Sequence, residues 1–135
     1  MSLEAAILAH TTAQVTSVNN RVYGVKAPNG AGTPYIRFIT MTPEFVHSMG
    51  DDSGLVMSRI QFSVFGTEYG EVKGVIEDLK AAYRNYRESD PTAKMGGQHW
   101  VQATLLANQG DDRYEDATSL YHTPLDVFVW NMEVD

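Results

Sequence analysis

The chain has 135 residues, the size of one domain, and its formal net charge is -7. This acidic balance argues against sequence-independent binding of nucleic acid, which requires clustered lysine and arginine. The absence of cysteine excludes disulfides, a thiolate nucleophile and a thiolate metal site, and it fits a reducing compartment. No apolar run approaches the roughly 20 residues that span a bilayer, and the N-terminus does not resemble a signal peptide.

The first third of the chain predicts one helix and one strand. Residues 1–3 resemble an expression-vector remnant, so no functional inference is drawn from them. A helix is expected from Leu3 to about Gln14. Asn19 and Asn20 mark a turn, and a short extended piece follows at residues 21–23. After a loop rich in glycine and proline, the aromatic and β-branched residues 35–41 predict the first strand.

Residues 42–54 form the longest stretch that the sequence predicts to be irregular before the centre of the chain. Turn-forming residues dominate it, yet Phe45, Val46 and Met49 lie among them. A long loop that carries apolar groups is often functional or packs against a partner.

The hydrophobic period changes once, at Gly66. Before it, alternation predicts a strand with one buried face, formed by Val56, Ile60, Phe62 and Val64. After it, helical spacing predicts a helix that Thr67 caps and that ends near Arg87. Its apolar side consists of Val72, Val75, Ile76, Leu79, Tyr83 and Tyr86. The two tyrosines are expected to pack in the core with their hydroxyls reaching solvent.

Two further strands are predicted in the last third of the chain. Residues 99–108 alternate, with Val101, Ala103, Leu105 and Ala107 expected on one face. Residues 110–118 form a polar turn whose acids are Asp111, Asp112, Glu115 and Asp116. The last strand has one face of Tyr121, Thr123, Leu125, Val127 and Val129 and another of His122, Asp126, Phe128 and Trp130. Pro124 favours an edge or bulge position there.

The predicted order is therefore α-β-β-α-β-β in one α+β domain covering residues 1–135. We expect a four-stranded, mainly antiparallel sheet with both helices on one face. The other face is mixed in character: Arg59, Gln61 and Ser63 are polar, whereas Phe65, Phe128 and Trp130 are not.

The sequence contains no recognisable catalytic or cofactor-binding motif. The four histidines lack metal-ligand spacing, and the aspartate pairs 51–52 and 111–112 lack the pattern of a calcium loop. His122 and Asp126 share a strand face, so a metal or acid-base pair is conceivable there. A polar pair on a partly solvated sheet is the favoured interpretation.

Several segments, taken in order, resemble a known family. They are residues 3–7, Arg21-Val22-Tyr23, the loop from Ala27-Pro28 to residues 33–38, residues 58–66 with Tyr69 and the helix to Tyr83, Asp111 to Glu115, and Ser119-Leu120-Tyr121 with the strand to Trp130. Together they resemble the bacteriophage tail-completion and tail-terminator family, which includes the tail-to-head joining protein of siphophages.

The resemblance implies an assembly role without catalytic residues, metal or cofactor. Such proteins form rings, typically of six subunits, that cap the tail tube and meet the head-completion proteins. They occur in the virion tail and, during assembly, in the host cytoplasm; DNA passes without specific binding. Residues that contact neighbouring subunits are expected on the mixed sheet face and in the predicted loop; the candidates are Phe45, Val46, Met49, Phe65, Phe128 and Trp130. Asp51 and Asp52 are candidates for acids that line the lumen.

Two other function classes stay open at this point. One is a small α+β enzyme or ligand-binding domain of the dimeric barrel type, for which His122 and Asp126 are the best candidate residues. The other is an adaptor in a non-viral contractile apparatus, which would share the ring but not the capsid partner.

Overall fold

The computed structural model describes residues 3–28, 30, 32–41, 44–48, 51–84, 95 and 101–132; at 44–48, 51–55, 102 and 132 it describes the backbone alone. Two helices lie in these ranges, α1 (Leu3–Gln14) and α2 (Tyr69–Tyr83), with a short 3₁₀ turn at Thr16–Val18. The strands are β1 (Val22–Gly24), β2 (Tyr35–Thr40), β3 (Glu44–Ser48), β4 (Asp51–Gly66), β5 (Val101–Gln109), β6 (Arg113–Glu115) and β7 (Leu120–Met132).

One mixed sheet contains all seven strands of the described ranges, in the order β1-β2-β4-β7-β5. β2 and β3 pair one after the other with successive parts of β4. In the same way, β5 and β6 pair with successive parts of β7. β1 and β2 run parallel, whereas the other pairs are antiparallel. The expected four-stranded sheet with the order α-β-β-α-β-β is therefore wrong, because the order is α-β-β-β-β-α-β-β-β.

One of the three additional strands comes from segment 42–54, predicted to be irregular, which contains β3 and the start of β4; the other two are β1 and β6. Glu44 pairs with Met57 and Ser48 with Asp51, with a bulge between Val46 and His47. The many turn formers suggested a loop, yet β3 has a long neighbouring strand to pair with. Strand formation depends on such pairing more than on local propensity, so the tertiary context decides.

The core lies between the helices and one face of the sheet. The alternation predicted for β4 and β7 is confirmed, because Ile60, Phe62 and Val64 are fully buried and lie beside Leu125 and Val127. Both helices contribute to the same cluster; their buried residues are Leu3, Ala6, Ile7, Val72, Val75, Ile76, Leu79 and Tyr83.

The predicted change from strand to helix at Gly66 is confirmed, since β4 ends there and α2 begins at Tyr69. A Cβ atom on Gly66 would lie 2.8 Å from Cγ2 of Val72, so glycine lets the strand end close against the helix. The expected cap is wrong: Glu68 is the N-cap residue, and its side chain makes no cap hydrogen bond. The helix ends at Tyr83, with Arg84 as an extended C-cap residue, so the predicted end near Arg87 is wrong.

Tyr83 joins the two helices in the core. Its side chain is fully buried, and its hydroxyl lies 2.7 Å from Oγ1 of Thr11 and 3.3 Å from the carbonyl oxygen of Ile7. The expectation that this hydroxyl reaches solvent is wrong, because α1 covers the tip of the ring and supplies its partners. Tyr86 lies outside the described residues.

β5 presents a different face from the predicted one. Thr104 is buried and its hydroxyl donates to the backbone oxygen of Tyr83, whereas Leu105 is 48% exposed. The register of β5 shifts between Val101 and Ala103, and such a bulge moves the following side chains to the opposite face.

Pro124 lies inside the sheet on β7, where it pairs with Ser63 of β4. On its other side β5 pairs as far as Leu125 and β6 begins at His122, so the proline falls between them. Pro124 therefore lies neither on an edge strand nor at a bulge of the β4–β7 pairing, as was expected, although its missing N–H falls where the outer row of strands is interrupted.

Candidate functional site

The side chains of β2, β4, β5 and β7 that point away from the helices form a second surface, the open face. Directly paired residues share a face, so the register identifies its members. They include Tyr35, Arg37, Arg59, Phe65, Leu105, His122, Asp126, Phe128 and Trp130. Both helices pack on the opposite side, so within the described ranges no helix covers the open face.

Stacked rings form one end of the open face. Phe65 lies between Tyr35 and His122, with ring centroids 4.9 Å and 4.5 Å apart and planes inclined by 18° and 7°. Cζ of Arg37 lies 5.3 Å from the Phe65 centroid, within the range of a cation–π contact. Burial lowers the pKa of His122 below its usual value, and nearby Glu115 opposes this shift. The imidazole is therefore biased towards its neutral, stacking form.

An ion pair occupies the middle of the open face. Nη2 of Arg59 donates to Oδ2 of Asp126, whose side chain is 8% exposed while that of Arg59 is 43% exposed. Arg59 also extends over Phe128, and its Cζ lies 5.9 Å from the centroid of that ring. The ring centroids of Phe128 and Trp130 are 6.1 Å apart. The carboxylate is thus held inside the surface, and the guanidinium is presented at it.

Unpartnered polar atoms are concentrated on the open face. In the described part of the chain, five buried side-chain nitrogen or oxygen atoms lack a hydrogen-bond partner. Four of them are on this face: Nε of Arg37, Nε of Arg59, Nε2 of His122 and Oδ1 of Asp126. Buried polar groups are nearly always paired in native proteins. Their concentration on one face marks it as a candidate interaction surface.

The structure does not bring His122 and Asp126 together as a catalytic or metal-binding pair. His122 is opposite Phe65 and Asp126 is opposite Gln61, four residues along the same strand and therefore roughly 13 Å apart. Asp126 is engaged with Arg59. Among the described residues, no group of three or more His, Asp or Glu side chains could hold a metal ion.

The acidic turn has a structural role at Asp112. Its carboxylate accepts hydrogen bonds from the Tyr69 hydroxyl at 2.7 Å, the Thr123 hydroxyl at 2.8 Å and Nζ of Lys73 at 3.2 Å. The hydrogen bond from Tyr69 contributes most to lowering the pKa of Asp112. These contacts attach the first turns of α2 to β7, so Asp112 stabilises the fold rather than offering a free ligand.

The structure places the predicted contact residues in different environments. Phe65 is 6% exposed inside the ring stack, and Phe128 and Trp130 are half-buried on the open face. Phe45 and Val46 lie on β3, Asp51 and Asp52 begin β4, and Met49 lies outside the described residues.

The two arginines of the open face were not among the residues predicted for the site. Alternation on β2 puts Arg37 on the same side as Tyr35, opposite to Ile36 and Phe38, so the signal was present. Arg59 was noted only as a polar residue, because its contacts with Asp126 and Phe128 depend on the register between β4 and β7.

Comparisons with known proteins bear on the fold. No family model and no curated protein matches the sequence. In contrast, 29 chains of solved structures match. Among them is a chain from the "Virion of native gene transfer agent (GTA) particle", with a TM-score of 0.64 and 11% identity over 97% of this chain and 98% of that chain. The chain therefore shares, nearly end to end, the fold of a chain found in a virion particle.

Neither described helix is long and apolar enough to cross a membrane.

Proposed function

We propose that this protein is a structural virion protein that forms a ring of six subunits, caps the tail tube of a phage or prophage particle and joins it to the head-completion complex. The observation that carries the proposal is the fold shared with a chain of the gene transfer agent virion. The match spans both chains almost completely, so the whole domain, rather than a common substructure, is alike.

The resemblance to the tail-terminator family supports the finer part of the proposal. Its segments include residues 58–66, which form the end of β4, and residues 111–115, which contain Asp112 and β6. These segments build the joint at Gly66 and the attachment of α2. The proposed protein has no catalytic residues and acts through its surfaces, in the tail of the virion and in the host cytoplasm during assembly.

The open face supplies one of the contacts that a ring needs. A closed ring is built from heterologous contacts, in which one surface of a subunit meets a different surface of its neighbour. We assign Phe128 and Trp130 to such a contact, with Phe65 beneath it. Phe45, Val46 and Met49 are proposed as further contact residues. Asp51 and Asp52 are assigned to the lumen, where carboxylates repel the phosphates of passing DNA.

Native mass spectrometry of the purified protein tests the proposal. Six copies of the 15.0 kDa chain give a closed species of about 90 kDa. A monomer, or a compact dimer at the highest soluble concentration, contradicts the ring and favours a ligand-binding domain instead. Reversing Asp51 and Asp52 to lysine should leave this mass unchanged while increasing retention of DNA, and unchanged retention contradicts their assignment to the lumen.

A further inference from the structure

We propose that α2 of one copy packs on the open face of the next copy, with its carboxylates against Arg37 and Arg59. This inference rests on the proposed ring and identifies the two unlike surfaces that meet in it. The partner that covers the open face is a second copy of the same chain.

The open face offers positive charge that the chain itself does not fully use. Arg37 lies over Phe65, and its Nε atom is buried without a hydrogen-bond partner. Arg59 has one recorded carboxylate contact, through Nη2, and its Nε is likewise unpartnered. A guanidinium binds a carboxylate best through two parallel N–H groups. Both side chains are partly exposed while their Nε atoms are buried, so a carboxylate that approaches from outside would bind the terminal nitrogens of each guanidinium.

The solvent side of α2 supplies carboxylates. Glu71, Glu77 and Asp78 are exposed there. Lys73 is paired with Asp112 at 3.2 Å and Lys80 with Glu77 at 3.1 Å, so Glu77 is already engaged within the helix. Asp78 accepts a hydrogen bond from the Ser17 hydroxyl at 3.0 Å, which leaves Glu71 and Asp78 as the carboxylates of α2 that no lysine of the described residues engages. The helix therefore presents a net negative surface, and this surface is complementary to the open face in charge.

Two exposed glycines make the same side of α2 flat. Gly70 and Gly74 are one helical turn apart, and a Cβ atom on either would meet nothing within 4 Å. Glycine in a helix costs stability relative to alanine, and neither internal crowding nor a left-handed backbone requires it here. A strip without side chains lets another surface approach the helix backbone closely, so contact with a neighbour explains their presence.

The position of the two surfaces gives the contact its direction. α2 covers one face of the sheet and the open face is on the other side, so one copy cannot use both surfaces on the same neighbour. Repetition of such a head-to-tail contact closes into a ring when the rotation between neighbours permits. In each contact the helix layer of one copy covers the uncovered sheet of the next.

Two single variants test the contact by disabling one surface each. Gly74→Arg puts a bulky cation on the helix strip, and Arg37→Glu reverses the charge of the open face. We expect each to weaken ring formation by roughly 100-fold or more, as judged by native mass spectrometry over a dilution series. Gly74→Ala and Lys26→Glu are the matched controls: the first adds only a methyl group at the same site, and the second reverses an exposed charge outside both surfaces. Both controls should form rings, and circular dichroism should show all four variants folded.

Mixing the two defective variants gives the sharpest result. One contact remains possible between them, the intact helix of Arg37→Glu on the intact open face of Gly74→Arg. The mixture should therefore yield a 1:1 dimer and no ring. Rings that persist in either single variant, or a mixture without a dimer, overturn this contact and leave the proposed ring standing. A wild-type protein that forms no ring overturns both.

Discussion

The Arg59–Asp126 pair allows an asymmetric prediction, because its two charges differ in exposure. The Asp126 side chain is 8% exposed and that of Arg59 is 43% exposed. Arg59→Met keeps the stem over Phe128 but leaves a buried carboxylate without its cation, which costs about 3 kcal/mol or more of unfolding free energy. Asp126→Ala leaves a guanidinium that water can reach, and this costs only about 1–2 kcal/mol.

Urea unfolding measures both values, and an unchanged dependence on urea concentration shows that the same cooperative transition is compared. The double variant Arg59→Met with Asp126→Ala should be more stable than Arg59→Met alone, since it removes the stranded carboxylate. Equal costs for the two single variants, or a larger cost for Asp126→Ala, would refute the reasoning that burial of the carboxylate decides the energy.

Three further predictions concern the core and the stacked aromatic side chains around Phe65. Tyr83→Phe removes the hydroxyl that contacts Thr11 and should lower the free energy of unfolding by about 1 kcal/mol in urea titrations; no loss would contradict that role. Gly66→Ala places a methyl group against the side chain of Val72 and should cost about 1–3 kcal/mol, which Val72→Ala in the same chain partly relieves. Burial lowers the pKa of His122 in the folded state, so the unfolded chain binds its proton more readily and stability is lost as pH falls below 6.5. His122→Phe retains the stack and should reduce that loss, whereas an unchanged pH profile would exclude His122 as its source.

The faces of β4 and β7 could be predicted because both strands are long and pair directly with each other. Val64 and Thr123 face each other on the helix side, and Phe65 and His122 on the open side, as strict alternation requires. Sequence periodicity is sufficient where no bulge interrupts the ladder.

β5 could not be predicted in the same way, because its bulge leaves no clear signal in the sequence. The apparent alternation of Val101, Ala103 and Leu105 suggested one buried face, yet the register shift turns Leu105 outwards and Thr104 inwards. The hydroxyl of Thr104 is satisfied by a backbone oxygen of α2, a partner that only tertiary structure supplies.

The candidate site was accessible from the sequence only in part. Phe128 and Trp130 were visible as apolar residues on a mixed face, whereas the roles of Arg37 and Arg59 depend on which rings and carboxylates lie across the strands. Pairwise contacts of this kind follow from register, and the register of distant strands is not encoded in local spacing.

Electron microscopy of the purified wild-type protein, with class averages computed without imposed symmetry, tests the central claim most directly. The account predicts closed rings of six subunits with a central channel, in which one side of each subunit's sheet is covered by its own helices and the other by the neighbour. Isolated subunits or two-fold dimers in a preparation that native mass spectrometry shows to be folded and intact would contradict it.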